Sequence, residues 1–232
     1  MVYNDLNPAL YALLAVLKDP TLFQRFLEQL ERQDYTQTTF KAAVVYLRLH
    51  NDVPGSDEDA VALACAKYQA ICMSFNATQA SYRTPTPTIL AAYDNRLRTL
   101  LAVHERLVDY NIQVTNGDAL HWMETASAGD VIFLDVPYLY GEQEERRVKG
   151  PAYGAFDWDR ATHERFLAHA EKTAAKVLIC GYSSTLYDER LSASRWRKID
   201  LGSVAKSSAR SRQGQTKARA HEIIWLNYDP DV

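Results

Sequence analysis

The chain has 232 residues, 47% hydrophobic and 24% charged, a composition that supports one sizeable core and excludes a disordered or low-complexity protein. No apolar run reaches the roughly 18 residues of a membrane span, and the first residues lack the basic and apolar regions of a secretion signal. We therefore expect a cytoplasmic protein without a membrane segment. The formal net charge of −3 does not by itself indicate a nucleic-acid partner.

Helical spacing of apolar residues recurs over most of residues 8–107. Asn7 is expected to cap the first helix, with Pro8 in its first turn. Polar residues and two prolines over Ser74–Thr88 predict a loop. The apolar spacing predicts further helices over Thr21–Arg32, Phe40–Leu49, Asp57–Met73 and Ile89–Leu107.

From residue 111 onward, short apolar runs alternate with helical stretches. The runs Asp130–Asp135 and Lys176–Tyr182 flank a helical stretch over Thr162–Thr173, which favours parallel strands buried on both faces. Two later runs, Trp196–Leu201 and Glu222–Tyr228, have no helix between them, so we expect an antiparallel pair at one side of the sheet. The pattern therefore predicts an α/β fold.

The three cysteines do not suggest a disulfide framework. Cys65 and Cys72 lie seven residues apart in a helical pattern, and Cys180 lies inside an apolar run, so we expect buried, reduced thiols. The six histidines show no metal-ligand spacing, and we expect no metal.

A candidate site follows the strand predicted over Val131–Leu134. It consists of Asp135, Val136, Pro137 and Tyr138, which place an acid and an aromatic ring at the carboxyl end of that strand. In open α/β sheets ligands bind at this end of the strands. An ordinary strand end with a proline turn is the alternative interpretation.

Five elements in order resemble those of the Dam-like DNA adenine-N6 methyltransferases. Asp135–Tyr138 resembles the family's Asp-Pro-Pro-Tyr motif, with Val136 in place of the first proline. Tyr3–Pro8 resembles its "NDLNP" element, and Asn116–Leu120 its "GDAL" element. Lys176–Tyr187 and His221–Tyr228 resemble "VLLSGYDSELY" and "TEVLWLNY". The resemblance covers nearly the whole chain, and it rests on the co-occurrence of the elements.

The resemblance implies a Rossmann-like class I methyltransferase sheet formed by residues 1–6 and 111–232, with residues 7–110 as a mainly helical target-recognition insertion. It implies S-adenosylmethionine as cofactor and double-stranded DNA as partner. Asp135 and the Val136 carbonyl would accept the hydrogens of the adenine N6 amine, and Tyr138 would stack on the flipped base. Asp5 would bind the cofactor ribose and Asp118 its adenine, and Asp135 would also contact the cofactor. The alternative for both acids is a cap or turn role.

In the same family the helical insertion recognises DNA. Asn76, Gln79 and Arg83 in the predicted loop would contact base edges, and Tyr82 would stack or wedge. A second set of basic residues would close over the flipped base: Arg146, Arg147 and Lys149. A third set would contact phosphates: Arg210, Arg212 and Lys217. Ordinary surface loops are the alternative interpretation of these segments.

The chain departs from the family in one element, a strand ending in a glycine-rich turn before "NDLNP". The nine glycines include no Gly-x-Gly. By resemblance the missing strand is central, between those ending at Asp5 and Asp135, so we expect weak or absent cofactor binding and an open slot in the sheet. A gene fragment, a split enzyme completed by a second polypeptide, or a remnant that only binds DNA would each fit. A methyltransferase acting on RNA or a protein amide is a further alternative.

Overall fold

The protein is a mixed α/β chain that divides into two compact units. The computed structural model describes residues 1–139, 156–192, 195–205 and 219–230. The first unit is Met1–Ala119 and the second is Leu120–Val232. The mixed α/β class predicted from the sequence is confirmed. None of the described helices is both long and apolar enough to cross a membrane.

The first unit consists of helices and a two-stranded parallel sheet. The first helix begins as the sequence predicts: the Asn7 carboxamide accepts from the backbone N–H groups of Ala9 and Leu10, and Pro8 lies in the first turn. In chain order the elements are β1 (Val2–Asn4), α1 (Pro8–Lys18), α2 (Pro20–Glu31), α3 (Gln37–Leu49), α4 (Asp57–Cys72), a 3₁₀ turn (Phe75–Ala77), α5 (Pro87–Asp109) and β2 (Gln113–Thr115).

Helix α4 lies at the centre of this unit. It packs against α1, α2 and α3, and most of its residues are buried. Phe26, Tyr68 and Met73 belong to the resulting core. Cys65 and Cys72 are buried in it as predicted, and burial raises the pKa of the Cys65 thiol to about 12. These thiols are therefore structural and unreactive at neutral pH.

The second unit contains a four-stranded sheet in the order β3-β4-β6-β5. β3 and β4 are parallel, and β6 is antiparallel to both β4 and β5. The antiparallel pair expected at one side of the sheet is confirmed. In chain order the elements are α6 (Ala119–Thr125), β3 (Val131–Asp135), α7 (Arg160–Lys172), β4 (Lys176–Tyr182), α8 (Thr185–Arg190), β5 (Arg197–Ala205) and β6 (Arg219–Leu226).

One face of this sheet forms a core with α7 and α8. Phe166 of α7 packs with Ile179 and Trp225, all fully buried. Gly181 lies opposite the indole ring, where an added Cβ would come within 3.3 Å of Trp225 Cζ3, so a side chain there would displace the ring.

The prediction that the parallel strands are buried on both faces is wrong for β3. Val131 and Phe133, on the face opposite this core, are 63% and 64% exposed. The physical reason is that no described element covers this face of β3, which leaves both side chains open to solvent. β3 is also an edge strand, because within the described residues it pairs with β4 alone. β1 likewise pairs only with β2 there. Within the described residues both strands therefore have an unpaired edge. The missing strand stays a prediction.

Candidate functional site

The motif residues follow β3 directly. Asp135 ends the strand and is exposed, Val136 is buried in the core of the second unit, and Pro137 and Tyr138 are half-buried. The Tyr138 hydroxyl donates to Glu222 Oε1 at 3.1 Å. The turn thus presents a carboxylate beside an aromatic ring, the two groups that the candidate chemistry needs.

Strand register explains how Tyr138 acquires its neighbours. Asp135 pairs with Cys180, and Tyr182 pairs with Glu222. Paired residues share a sheet face, as do residues two apart on one strand, so these four side chains lie on the same face. The Tyr182 ring meets the Tyr138 ring edge-on, with centroids 4.6 Å apart.

The electrostatics of this cluster keep the Tyr138 hydroxyl and the Cys180 thiol protonated. Burial, then the Asp135 and Glu222 carboxylates, raise the pKa of Tyr138. Cys180 is half-buried and not fully buried as predicted. This partial burial and the same two carboxylates raise the pKa of its thiol. Tyr138 is therefore a hydrogen-bond donor at neutral pH, and Cys180 is not a nucleophile there.

Glu222 and Tyr182 were missed as site residues by sequence reasoning. Both lie in elements that resemble the family, but only the pairing of β4 with β6 places them beside Tyr138. A signal was present: Cys180 and Tyr182 alternate along the strand that follows the motif strand.

The other two predicted acids lie at the carboxyl ends of β1 and β2 in the first unit. These strands are parallel neighbours, and Asn116 Nδ2 joins their ends by donating to the carbonyls of Asp5 (2.7 Å) and Leu6 (3.0 Å). Asp5 Oδ1 accepts from the Asn7 backbone N–H at 2.8 Å, so this carboxylate stabilises the turn before α1. Asp118 is exposed. The structure thus brings two carboxylates to one corner of this small sheet.

The predicted recognition loop is tightly bonded within its own chain. Ser74 and Tyr82 form an antiparallel bridge, and the Phe75 N–H donates to the Ser81 carbonyl at 3.0 Å. Gln79 adopts a positive φ of 58°, which costs backbone energy in a non-glycine residue. A loop that tolerates such strain must be held by the contacts around it.

Two of the predicted DNA-contacting residues in this loop, Gln79 and Tyr82, make internal contacts. Gln79 Oε1 accepts from Lys67 Nζ at 3.1 Å, and the half-buried Tyr82 hydroxyl donates to the Tyr35 carbonyl at 3.5 Å. Arg83 is exposed. Phe75 is 59% exposed, a feature missed from the sequence, and an apolar side chain so placed suits a wedge between bases.

The remaining predicted DNA contacts lie outside the described part of the chain. For Asn76 this applies to the side chain alone, because its backbone belongs to the 3₁₀ turn. It applies to the whole residue for Arg146, Arg147, Lys149, Arg210, Arg212 and Lys217. Their roles stay predictions.

Lys67 is the least expected residue of the first unit, because only 5% of it is exposed. Burial lowers the pKa of this lysine, and the Asp5 carboxylate opposes that shift. Burying an ammonium group beside a neutral acceptor lowers the stability of the fold. Because Lys67 contacts Gln79, we infer that its role is to hold the loop.

Replacing Lys67 by Met is expected to change the free energy of unfolding by less than about 1 kcal/mol, because the lost bond offsets the relieved desolvation. It is expected to release the loop, so that backbone amides of residues 75–83 exchange with solvent roughly tenfold faster. Hydrogen exchange measured by mass spectrometry checks this. Lys41→Met, at an exposed position on α3, is the matched control. Equal loop exchange in both variants would show that Lys67 does not anchor the loop.

Comparison with known proteins gives no family model that matches the chain and no matching curated protein. Within the described ranges no three His, Cys, Asp or Glu side chains gather in a way that could hold a metal ion. The fold and the site thus define a mixed α/β protein in which a carboxylate, Asp135, and a fixed aromatic ring, Tyr138, lie at the end of a parallel strand.

Proposed function

We propose that this chain catalyses S-adenosylmethionine-dependent methylation of adenine N6 in DNA, on a Rossmann-like methyltransferase fold. One observation carries the proposal: the turn after β3 exposes the Asp135 carboxylate, buries the Val136 side chain and holds the Tyr138 ring beside them. The five sequence elements that resemble Dam-like enzymes support the same conclusion. The chain also has an acidic corner at Asp5 and Asp118, which suits a nucleoside.

The amine of adenine is a poor nucleophile because its lone pair is conjugated with the ring. Asp135 would accept one N6 hydrogen and the Val136 backbone carbonyl the other, which shifts the nitrogen toward sp³ geometry and frees the lone pair. This role needs position and charge, not a strong base. No covalent bond between substrate and protein is required.

Valine in place of the family's first proline is compatible with this role. The residue would act through its carbonyl, and any residue carries one. Proline restricts the backbone through its ring, whereas Val136 is held by packing, since its side chain lies in the core with Leu134 and Met123. Burial therefore supplies part of the rigidity that the proline would give.

Tyr138 would provide the surface on which the target base stacks. The N6 atom cannot be reached inside a duplex, so the nucleotide must leave the helix and be held in the site. Aromatic rings hold bases by stacking, at about 1–3 kcal/mol per base. Exposed Arg83 and Phe75 of the recognition loop would act on the duplex.

The donor set fits part of the cofactor. Carboxylates at the ends of adjacent parallel strands, from Asp5 and Asp118, are suitable acceptors for ribose hydroxyls and an adenine amine. When bound, S-adenosylmethionine supplies an electrophilic methyl group on a sulfonium. For the methionine part, the nine glycines of this sequence include no Gly-x-Gly turn.

The deciding experiment measures N6-methyladenine by mass spectrometry after the chain is incubated with unmethylated DNA and S-adenosylmethionine. Asp135→Ala, prepared in parallel, controls for a contaminating methyltransferase. RNA and protein substrates in separate arms test the related amino-methyltransferase activities. Methyl transfer to DNA that depends on Asp135 would support the proposal. Transfer only to RNA or only to protein would show that the substrate is not DNA.

The second candidate function is a non-catalytic one. In it the chain binds DNA, or it binds a partner chain that supplies a strand. The exposed Val131 and Phe133 on the edge strand β3 favour it, because an unpaired apolar strand edge attracts another chain. DNA binding that weakens with salt, without any stabilisation of the folded chain by S-adenosylmethionine, would decide for this candidate.

A further inference from the structure

The hydrogen bond from Tyr138 reaches across the sheet. Glu222 lies on β6, and the sheet order places β4 between β6 and the strand β3 that leads to Tyr138. The ring of Tyr182, from the end of β4, meets the Tyr138 ring at an interplanar angle of 75°. Tyr138 is thus held at its hydroxyl by one strand and at its ring by another.

These two contacts fix a side chain that would otherwise be mobile. Tyr138 follows a strand end, and a side chain in such a turn has several rotamers. A hydroxyl bonded to a carboxylate gives a charge-assisted bond, stronger than a neutral one, and an edge-on aromatic pair adds a preferred ring angle. Glu222 itself is held on a paired strand, which is a more precise support than a loop.

Resting on the proposed function, we propose that Glu222 is a positioning residue: its carboxylate, with the Tyr182 ring, sets the Tyr138 ring at the angle at which the target base stacks beside Asp135. The base then stacks on a ring that is already oriented. The conformational entropy of the Tyr138 side chain is therefore lost on folding and not on binding. Glu222 touches neither the base nor the reacting atoms in this scheme. Its effect passes entirely through the Tyr138 hydroxyl.

This dependence on one hydroxyl predicts a pattern that general destabilisation would not produce. Glu222→Leu removes the acceptor, Tyr138→Phe removes the donor but keeps the ring, and each is expected to lower kcat roughly tenfold, equivalent to about 1.4 kcal/mol. The double variant is expected to be no slower than either single variant, because the second change removes a bond that is already lost. KM for S-adenosylmethionine is expected to stay within about twofold.

Glu222→Gln provides the conservative comparison. The amide oxygen can still accept from the Tyr138 hydroxyl, so we expect this variant to lose no more than about threefold in kcat. Glu164→Leu removes an exposed carboxylate of α7 in the same unit and is the matched control, with no expected effect on transfer. Urea unfolding of every variant establishes that each one is folded at the assay temperature.

The test is the rate of N6-methyladenine formation for this set, with kcat and KM measured separately. Two outcomes would overturn the positioning role while leaving the proposed function in place. One is a double variant in which the fold losses of kcat from the two single variants multiply, and the other is full activity in Glu222→Leu. Equal losses in Glu222→Leu and Glu222→Gln would also overturn it, because the acceptor oxygen would then not be what matters. Absence of transfer by the unaltered chain would overturn the proposed function and this inference together.

Discussion

Replacing Asp135 by Asn is expected to reduce methyl transfer at least about 100-fold, with little change in stability. The carboxylate is exposed at the end of β3 and has no core contact to lose. Its proposed work is electrostatic, because it accepts a hydrogen of the N6 amine while positive charge develops on the nitrogen. Asparagine keeps the size and an acceptor oxygen but removes the negative charge, so it isolates that contribution.

The measurement is the initial rate of N6-methyladenine formation with saturating DNA, compared across Asp135→Asn, Asp135→Ala and a control at the other end of the strand. Asp130→Asn is that control: it lies just before β3, and its Oδ2 accepts from the Ser127 backbone N–H at 2.8 Å, which an amide oxygen can also do. The control is expected to retain most of the rate. An Asp135→Asn chain with more than a tenth of the original rate would show that the negative charge of Asp135 does not drive the transfer.

The longer helices, α1 to α5 and α7, could be predicted from local chemistry alone, whereas the short helices α6 and α8 were not predicted. Asn7 and Ser56 precede their helices as caps, and Pro8 and Pro87 occupy first turns. Apolar spacing predicted the extent of the helices to within a few residues, because a stripe at helical period must face a core. These signals are contained in a few neighbouring residues and need no knowledge of the rest of the chain.

The partners of the motif could not be predicted in this way. Tyr138 and Glu222 are 84 residues apart in sequence, and only the order β3-β4-β6 brings them together. Strand order is a property of the whole sheet, and a one-residue change of register would turn every side chain of a strand to the other face. The prediction that β3 is buried on both faces was wrong for a related reason. An apolar run indicates a buried strand, but it carries no information on whether a second layer covers the other face.

The recognition loop shows a different limit of sequence reasoning. Its polar composition indicates a loop, yet Gln79 and Tyr82 direct their polar atoms to Lys67 and to the Tyr35 carbonyl. A side chain that can contact a base can equally contact its own backbone. Lys67 itself lies within a helix of mostly apolar residues, where a lysine is expected to be exposed, and its burial depends on the packing of several helices around α4.

Acidification from pH 7 to pH 4 is expected to cost the second unit about 3 kcal/mol of stability through His163 alone. The imidazole is fully buried on α7 between Trp158 and Tyr187, with Nδ1 2.9 Å from the Tyr187 hydroxyl. Nε2 is buried without a hydrogen-bond partner in the described structure. Burial lowers the pKa of His163 from 6.5 to about 4, against the smaller opposing effect of the Asp159 and Asp157 carboxylates.

The sign follows from proton binding. Between pH 6.5 and pH 4 the unfolded chain holds a proton on this histidine that the folded chain does not, so the free energy of unfolding falls as the pH falls. Urea unfolding followed by tryptophan fluorescence at several pH values measures the slope, and His163→Gln removes the titrating group while keeping a partner for Tyr187. Carboxylates titrate in both proteins, so the histidine contribution is the difference between the two slopes. Identical slopes would mean that His163 is charged in the folded state or reaches solvent, and its burial against Trp158 and Tyr187 would then not persist below pH 6.5.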